Sequence, residues 1–87
     1  MSALPDRLTT LAERCLSIVE SIDPDRAELA RDAIEVGEPD IAIGEALGIA
    51  YRSGRHDLRF PPEVRELAAD PSWRAIHPYL GMLQQQS

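Results

Sequence analysis

The sequence predicts an all-α protein, a small bundle of four to five short helices around a central apolar helix at about residues 39–53. Three observations favour this fold. Apolar residues recur at spacings of three and four, which is the period of an amphipathic helix. An acidic residue is followed by proline at three predicted helix starts, a pattern typical of a cap and first helical position. No stretch alternates apolar and polar residues for long enough to predict a strand.

The first predicted helix covers about residues 5–21 and has proline at its first position, where a missing N–H is tolerated. Cys15 lies on its apolar stripe, so it is predicted to be a small buried residue rather than a nucleophile. The whole stripe comprises Leu4, Leu8, Leu11, Cys15, Ile18 and Ile22.

The second predicted helix covers about residues 24–36, between the cap Asp23 and the left-handed terminator Gly37. Its inward side is predicted to consist of Leu29, Ala30, Ala33 and Ile34. The opposite side carries four acidic residues that fall within about one quadrant of the helix at roughly 100° per residue. These four are Asp25, Glu28, Asp32 and Glu35.

The third predicted helix, at about residues 39–53, is apolar around most of its circumference, as expected of a central buried helix. Gly44 and Gly48 each cost roughly 1 kcal/mol relative to alanine in a helix interior. Because they are four residues apart, they leave two gaps on one face. We interpret these gaps as a packing device that admits a neighbouring backbone, or as mere tolerance of glycine.

The C-terminal third is predicted to form a loop and two further helices. Residues 53–60 form the loop, and a short helix at about 61–69 turns Val64, Leu67 and Ala68 inward. A last helix at about 71–84 follows the cap-then-proline pair at Asp70. Its stripe comprises Trp73, Ile76, Leu80 and Leu83, with Trp73 assigned to the core. Pro78 predicts a kink or break near His77.

Length and composition limit the class of protein. The 87 residues, 44% of them hydrophobic, allow one domain (1–87) with one small core, to which a partner or homo-oligomer would add stability. The net charge of −6 argues against nucleic acid and against anionic membranes. One cysteine, no apolar stretch of membrane-spanning length and no secretion signal predict a cytoplasmic protein in a reducing compartment.

No residue pattern points to catalysis, so we predict that the chain is not an enzyme and uses no metal or cofactor. His56 and His77 lie far apart and belong to no metal-ligand pattern. No serine or cysteine is paired with a base in the way that nucleophilic catalysis requires. A helix-turn-helix would need the third helix for recognition, yet Arg52, near its end, is its one basic residue.

Charge is unevenly distributed along the chain, since residues 1–45 hold eleven of the fifteen acids and four of the nine arginines. Acids three and four residues apart on the second helix repel one another, and Glu35 opposes the helix dipole. Arg31 is expected to offset part of this by reaching Glu28 or Glu35. Such a surface indicates either a site for a basic protein partner or a solubilising face. The predicted partner-binding residues are Asp25, Glu28, Asp32, Glu35, Glu38 and Asp40.

A turn at residues 35–39 carries a resemblance to a known family. The run Glu35-Val36-Gly37-Glu38-Pro39, followed by Ala42, Leu47 and Tyr51, resembles MafI-type immunity proteins over about residues 10–69. The family consists of small acidic helical proteins that neutralise toxins of bacterial competition, many of which are basic nucleases. The chain departs from the family pattern in its C-terminal element with Trp73, Pro78 and Tyr79, which leaves open a different subfamily, a different partner or no relationship.

The leading hypothesis is therefore an immunity-type inhibitor that binds a basic toxin domain, such as a nuclease, and blocks its active site. A second hypothesis is a small acidic adaptor or regulatory module without a toxin partner. A third is a small enzyme or ligand-binding domain, which a preformed apolar pocket with converging polar groups would indicate.

Overall fold

The computed structural model describes residues 7–55 and 57–85 and consists there of helices joined by turns and irregular loops. The described helices, in chain order, are α1 (Arg7–Val19), α2 (Pro24–Glu35), α3 (Pro39–Ser53), α4 (Pro62–Ala68), a 3-10 turn (His77–Tyr79) and α5 (Leu80–Gln84). The predicted all-α class is confirmed. Leu4, His56 and the predicted helix start at residues 5 and 6 lie outside the described residues.

Local capping signals set the bounds of α2 and α3. The Asp23 carboxylate accepts a hydrogen bond from the Arg26 backbone N–H at 3.1 Å, which satisfies one free donor of the first turn of α2. Gly37 follows α2 with φ of 82°, and Gly54 ends α3 with φ of 70°. Both angles lie in the left-handed region that glycine enters without a steric penalty.

Helix α3 is the centre of the bundle, as its apolar sequence predicts. It packs against both α1 and α2. Its buried residues are Pro39, Ala42, Ile43, Gly44, Ala46, Leu47, Gly48, Ile49 and Ala50. Two of the apolar residues at its ends, Ile41 and Tyr51, are exposed instead.

Helix α1 buries a wider side than the predicted stripe. Leu11 and Cys15 are buried as expected, but Ala12, Leu16 and Val19 are fully buried as well. Leu8, Ile18 and Ile22 are only partly buried. The difference arises because α1 packs against both α2 and α3, so more than one narrow stripe is covered.

The predicted helix at 71–84 is wrong in its first half, although the break that Pro78 predicts is present. The Asp70 carboxylate accepts hydrogen bonds from the backbone N–H and the hydroxyl of Ser72, at 2.9 and 2.8 Å. Turns follow as far as Ile76, and the α-helix starts only at Leu80. The cap-then-proline signal therefore forms a turn here, in which Asp70 binds the residue two positions on. Pro78, which lacks an N–H, accounts only for the break before α5.

The C-terminal segment reaches α3 through the two glycines. A Cβ placed on Gly44 would lie 2.5 Å from the Ala75 carbonyl oxygen, and one on Gly48 would lie 3.0 Å from the Tyr79 hydroxyl. The Tyr79 ring also meets Tyr51 edge to face, with ring centroids 6.2 Å apart. Of the two interpretations of these glycines, close approach of a neighbouring backbone holds at Gly44.

A helix that crosses a membrane must be both long and apolar, and this can be judged for the helices within residues 7–55 and 57–85. None of the described helices combines the length and the apolar character needed to cross a bilayer.

Candidate functional site: the outward side of the second helix

Helix α2 lies against α1 and α3 through small residues. Ala27 and Ala30 are buried, and Ala33 and Ile34 are half-buried. Leu29 was predicted to face inward, but 68% of its surface is exposed. At 100° per residue it lies about 160° around the helix from Ala27, so packing through Ala27 turns Leu29 outward.

The four acids of α2 lie together on its outward side, and all four are exposed. At 100° per residue they occupy an arc of about 80°. We call this set the acidic stripe: Asp25, Glu28, Asp32 and Glu35. The structure thus keeps these predicted site residues on one face of a single helix.

The arginines of α2 do not neutralise the acidic stripe. Arg31 reaches across to Glu20, with its Nη2 2.7 Å from a carboxylate oxygen, so the expectation that it offsets Glu28 or Glu35 is wrong. Arg26 points to Glu45 on α3, at 3.9 Å. Both basic residues brace α2 against its neighbours. Within the described chain, the acidic stripe therefore takes part in no ion pair.

The remaining two predicted site residues follow the acidic stripe in the chain. Glu38 is exposed and is the cap residue of α3, although its side chain makes no capping hydrogen bond. Asp40 is half-buried in the first turn of α3, where a helix dipole favours an acid. The Glu38 backbone N–H donates to the Ala33 carbonyl at 2.8 Å, which ties this turn to the end of α2.

The sequence interpretation missed the exposed aliphatic residues beside the acidic stripe. Val36, the cap residue that ends α2, is 70% exposed, and Ile41 in the first turn of α3 is 41% exposed. One signal could have identified Leu29, because Asp25 and Asp32 are its surface neighbours at spacings of four and three. A residue flanked in this way by carboxylates is expected to face the solvent.

Cys15 carries a thiol, which could act as a nucleophile, but the fold places it where it cannot react. It is fully buried in the core, and burial raises the pKa of its thiol to about 12, against a small lowering by Arg14. Since the thiolate is the reactive form, this environment suppresses nucleophilic chemistry.

We expect Cys15 to react with iodoacetamide far more slowly in the folded protein than in urea. A pKa of about 12 in place of 9.0 lowers the thiolate fraction near pH 8 about a thousandfold, and burial also blocks the reagent. Mass spectrometry of samples quenched over time measures the two rates. Equal rates in the folded and the urea-unfolded chain would contradict the buried placement.

An open groove of about 820 Å³ runs between α1, α4 and the turn that holds Trp73. Trp73, assigned to the core from sequence, is only half-buried and lines this groove with Leu8, Leu11 and Leu67. The charged residues that border it are exposed: Arg7, Arg14, Glu63, Glu66 and Asp70. Hydrogen bonds from Ser72 lower the pKa of Asp70. A ligand site orients its ligand with desolvated polar groups, and no polar side chain of the described residues is buried.

No group of three or more histidine, cysteine or carboxylate side chains in residues 7–55 and 57–85 could hold a metal ion. Comparison of the chain with protein-family models, curated proteins and solved structures found no match.

Proposed function

We propose that this chain is an immunity-type inhibitor that binds a basic toxin domain and covers its active site. One observation carries the proposal: the acidic stripe is exposed and unneutralised because Arg26 and Arg31 pair with Glu45 and Glu20 instead. A toxin that cleaves nucleic acid needs a positively charged active site to hold phosphates. A helix that presents four carboxylates competes for that site by the same electrostatic attraction.

The resemblance to MafI-type immunity proteins supports the same role. The run at 35–39, which carries it together with Ala42, Leu47 and Tyr51 of α3, forms the end of α2 and the turn into α3 and includes the last residue of the acidic stripe. On this proposal the chain acts in the cytoplasm of the cell that it protects, where the toxin would otherwise be active.

Electrostatic attraction of this kind acts mainly on the rate of association. Complementary charges steer two proteins together and can raise the association rate by orders of magnitude over that of a neutral pair. Exposed charges are screened at about 10 Å in 0.1 M salt, so the effect should decline as ionic strength rises.

A second candidate is an adaptor or regulatory module without a toxin partner. The exposure of Leu29 and Val36 favours binding to another protein, and it supports a toxin and a non-toxin partner equally. The products of adjacent genes distinguish the two candidates. A toxin domain that co-purifies with this chain supports the inhibitor, whereas an enzyme or secretion component supports the adaptor.

Charge reversal on the acidic stripe tests the inhibitor proposal. We expect Glu28→Lys with Asp32→Lys to slow association with the toxin domain encoded beside this chain about tenfold or more in 50 mM salt. The difference should shrink above 0.5 M salt, where screening removes steering. Stopped-flow fluorescence measures the rates, and survival of cells that co-express the toxin measures protection.

The matched control changes the net charge equally on another face. Glu63 and Glu66 are exposed acids of α4, and their reversal to lysine should leave the association rate nearer to that of the wild type. Equal slowing by both pairs would show that only net charge matters and would remove the acidic stripe from the proposal. A wild-type chain that neither binds nor protects against the adjacent toxin would overturn the proposed function itself.

A further inference from the structure

Three large aliphatic side chains are exposed along α2 and in the first turn of α3. We call them the aliphatic patch: Leu29, Val36 and Ile41, with exposed fractions of 68%, 70% and 41%. Single exposed apolar residues are common on proteins. Leu29 and Val36 differ because they share one side of α2, and Ile41 lies in the first turn of the helix that follows.

Helix geometry places Leu29 and Val36 on the same side of α2. They are seven residues apart, which is about two helical turns, or roughly 10 Å along the axis. Ile41 precedes Glu45 by four residues and therefore shares its side of α3. A Glu45 carboxylate oxygen lies 3.9 Å from Arg26 of α2, so that side of α3 borders α2.

Leu29 and Val36 contribute little to the fold. Core contacts of α2 are made by Ala27 and Ala30, which are buried, and by the half-buried Ile34. Since most of the surface of Leu29 and Val36 remains in water, a smaller or polar residue at either position would leave the core intact.

Charge identifies the kind of partner that fits this face. Asp25 and Asp32 neighbour Leu29 on the helix surface, so the aliphatic patch is bordered by the acidic stripe. Protein interfaces commonly have an apolar centre and a charged rim. A second copy of this chain would bring two acidic stripes together, and their repulsion disfavours a homodimer through α2.

We propose that the aliphatic patch is the anchor of the inhibitory interface and inserts into an apolar depression rimmed by lysine or arginine on the basic toxin domain. This inference rests on the proposed function and deepens it. The acidic stripe sets how fast the complex forms, and the aliphatic patch sets how long it lasts, because buried apolar contacts act mainly on dissociation.

Truncation of the aliphatic patch provides the test. We expect Leu29→Ala and Val36→Ala each to raise the dissociation rate from the adjacent toxin domain about tenfold or more, with an association rate within about twofold of the wild type. Leu29→Gln, which keeps the size of the side chain but makes it polar, should act in the same direction. Surface plasmon resonance with the immobilised toxin domain measures both rates.

The control is Tyr51→Ala, another large exposed side chain. Tyr51 is 61% exposed but contacts Tyr79 of the C-terminal segment, away from the aliphatic patch. Its dissociation rate should match that of the wild type. The Leu29 and Val36 variants should also keep the thermal midpoint of the wild type, and a clear loss would identify them as structural residues and overturn the inference.

The outcomes separate this inference from the proposed function. If the wild type binds the toxin domain but the Leu29 and Val36 variants dissociate at its rate, the anchor is overturned and the inhibitor proposal stands. If the wild type does not bind, both are overturned. A second copy of this chain is the other possible occupant of the aliphatic patch, and sedimentation at about 100 μM tests for it. A dimer that the Leu29→Ala substitution dissociates would assign the aliphatic patch to a homodimer interface and overturn the inference.

Discussion

Replacing Leu47 by alanine is expected to lower the free energy of unfolding by about 3–5 kcal/mol, the range for a fully buried leucine that leaves a cavity. Leu47 lies in the middle of the central helix α3 and has no exposed surface. A domain of this length has a total stability of about 4–13 kcal/mol at typical values per residue. The substitution therefore removes a large part of the stability, which urea unfolding followed by circular dichroism measures.

The matched control for Leu47→Ala is Leu29→Ala, the same chemical change on an exposed side chain of α2. Surface substitutions usually change stability by less than about 0.5 kcal/mol. The two variants should therefore differ by several kcal/mol. Similar losses in both would mean either that Leu29 is buried or that Leu47 is not central, and the assignment of α3 as the core helix would fail.

Much of the fold could be predicted because its boundaries rest on local signals. The predicted bounds of α3, 39–53, agree with Pro39–Ser53, since proline fixes the start and a left-handed glycine fixes the end. The start of α2 follows from the Asp23 cap in the same way. These signals act within a few residues, so sequence inspection is sufficient to find them.

The C-terminal segment could not be predicted as well, because tertiary contacts decide its conformation. Asp70-Pro71 can begin either a helix or a turn. Here Ile76 is fully buried and the Ala75 carbonyl lies against Gly44, so the segment follows the surface of α3 as turns. Contacts between residues about thirty positions apart leave no trace in the local periodicity.

The candidate site, like the fold, could be predicted from the sequence only in part. The acidic stripe could be predicted, since four carboxylates at helical spacing define one face whatever the helix packs against. The partner of Arg31 could not, because Glu20 directly follows α1 and only the packing of α1 against α2 brings the two side chains within 2.7 Å. The exposure of Leu29 could have been predicted from its neighbours Asp25 and Asp32, whereas the burial of Ala27 follows from the packing of α2 against α1 and α3.

Adding one methyl group at Gly44 is expected to destabilise the protein, although alanine is the better helix former. The Cβ would lie 2.5 Å from the Ala75 carbonyl oxygen, and backbone atoms cannot move aside as a flexible side chain can. Overpacking costs about 1–3 kcal/mol, whereas the helix propensity of alanine returns about 1 kcal/mol at most. We therefore expect Gly44→Ala to lower the thermal midpoint by several degrees, at about 4–8 °C per kcal/mol.

Two other glycines supply the controls for Gly44→Ala. At Gly48 a new Cβ meets the ends of the Arg52 and Tyr79 side chains at 3.0 Å, and these can rotate away, so Gly48→Ala should be less damaging. At Gly81 nothing lies within 4 Å, so Gly81→Ala should be neutral or slightly stabilising. The expected order of thermal midpoints is Gly81→Ala, then Gly48→Ala, then Gly44→Ala. A Gly44→Ala variant as stable as the Gly81→Ala variant would show that the Ala75 carbonyl does not lie against Gly44.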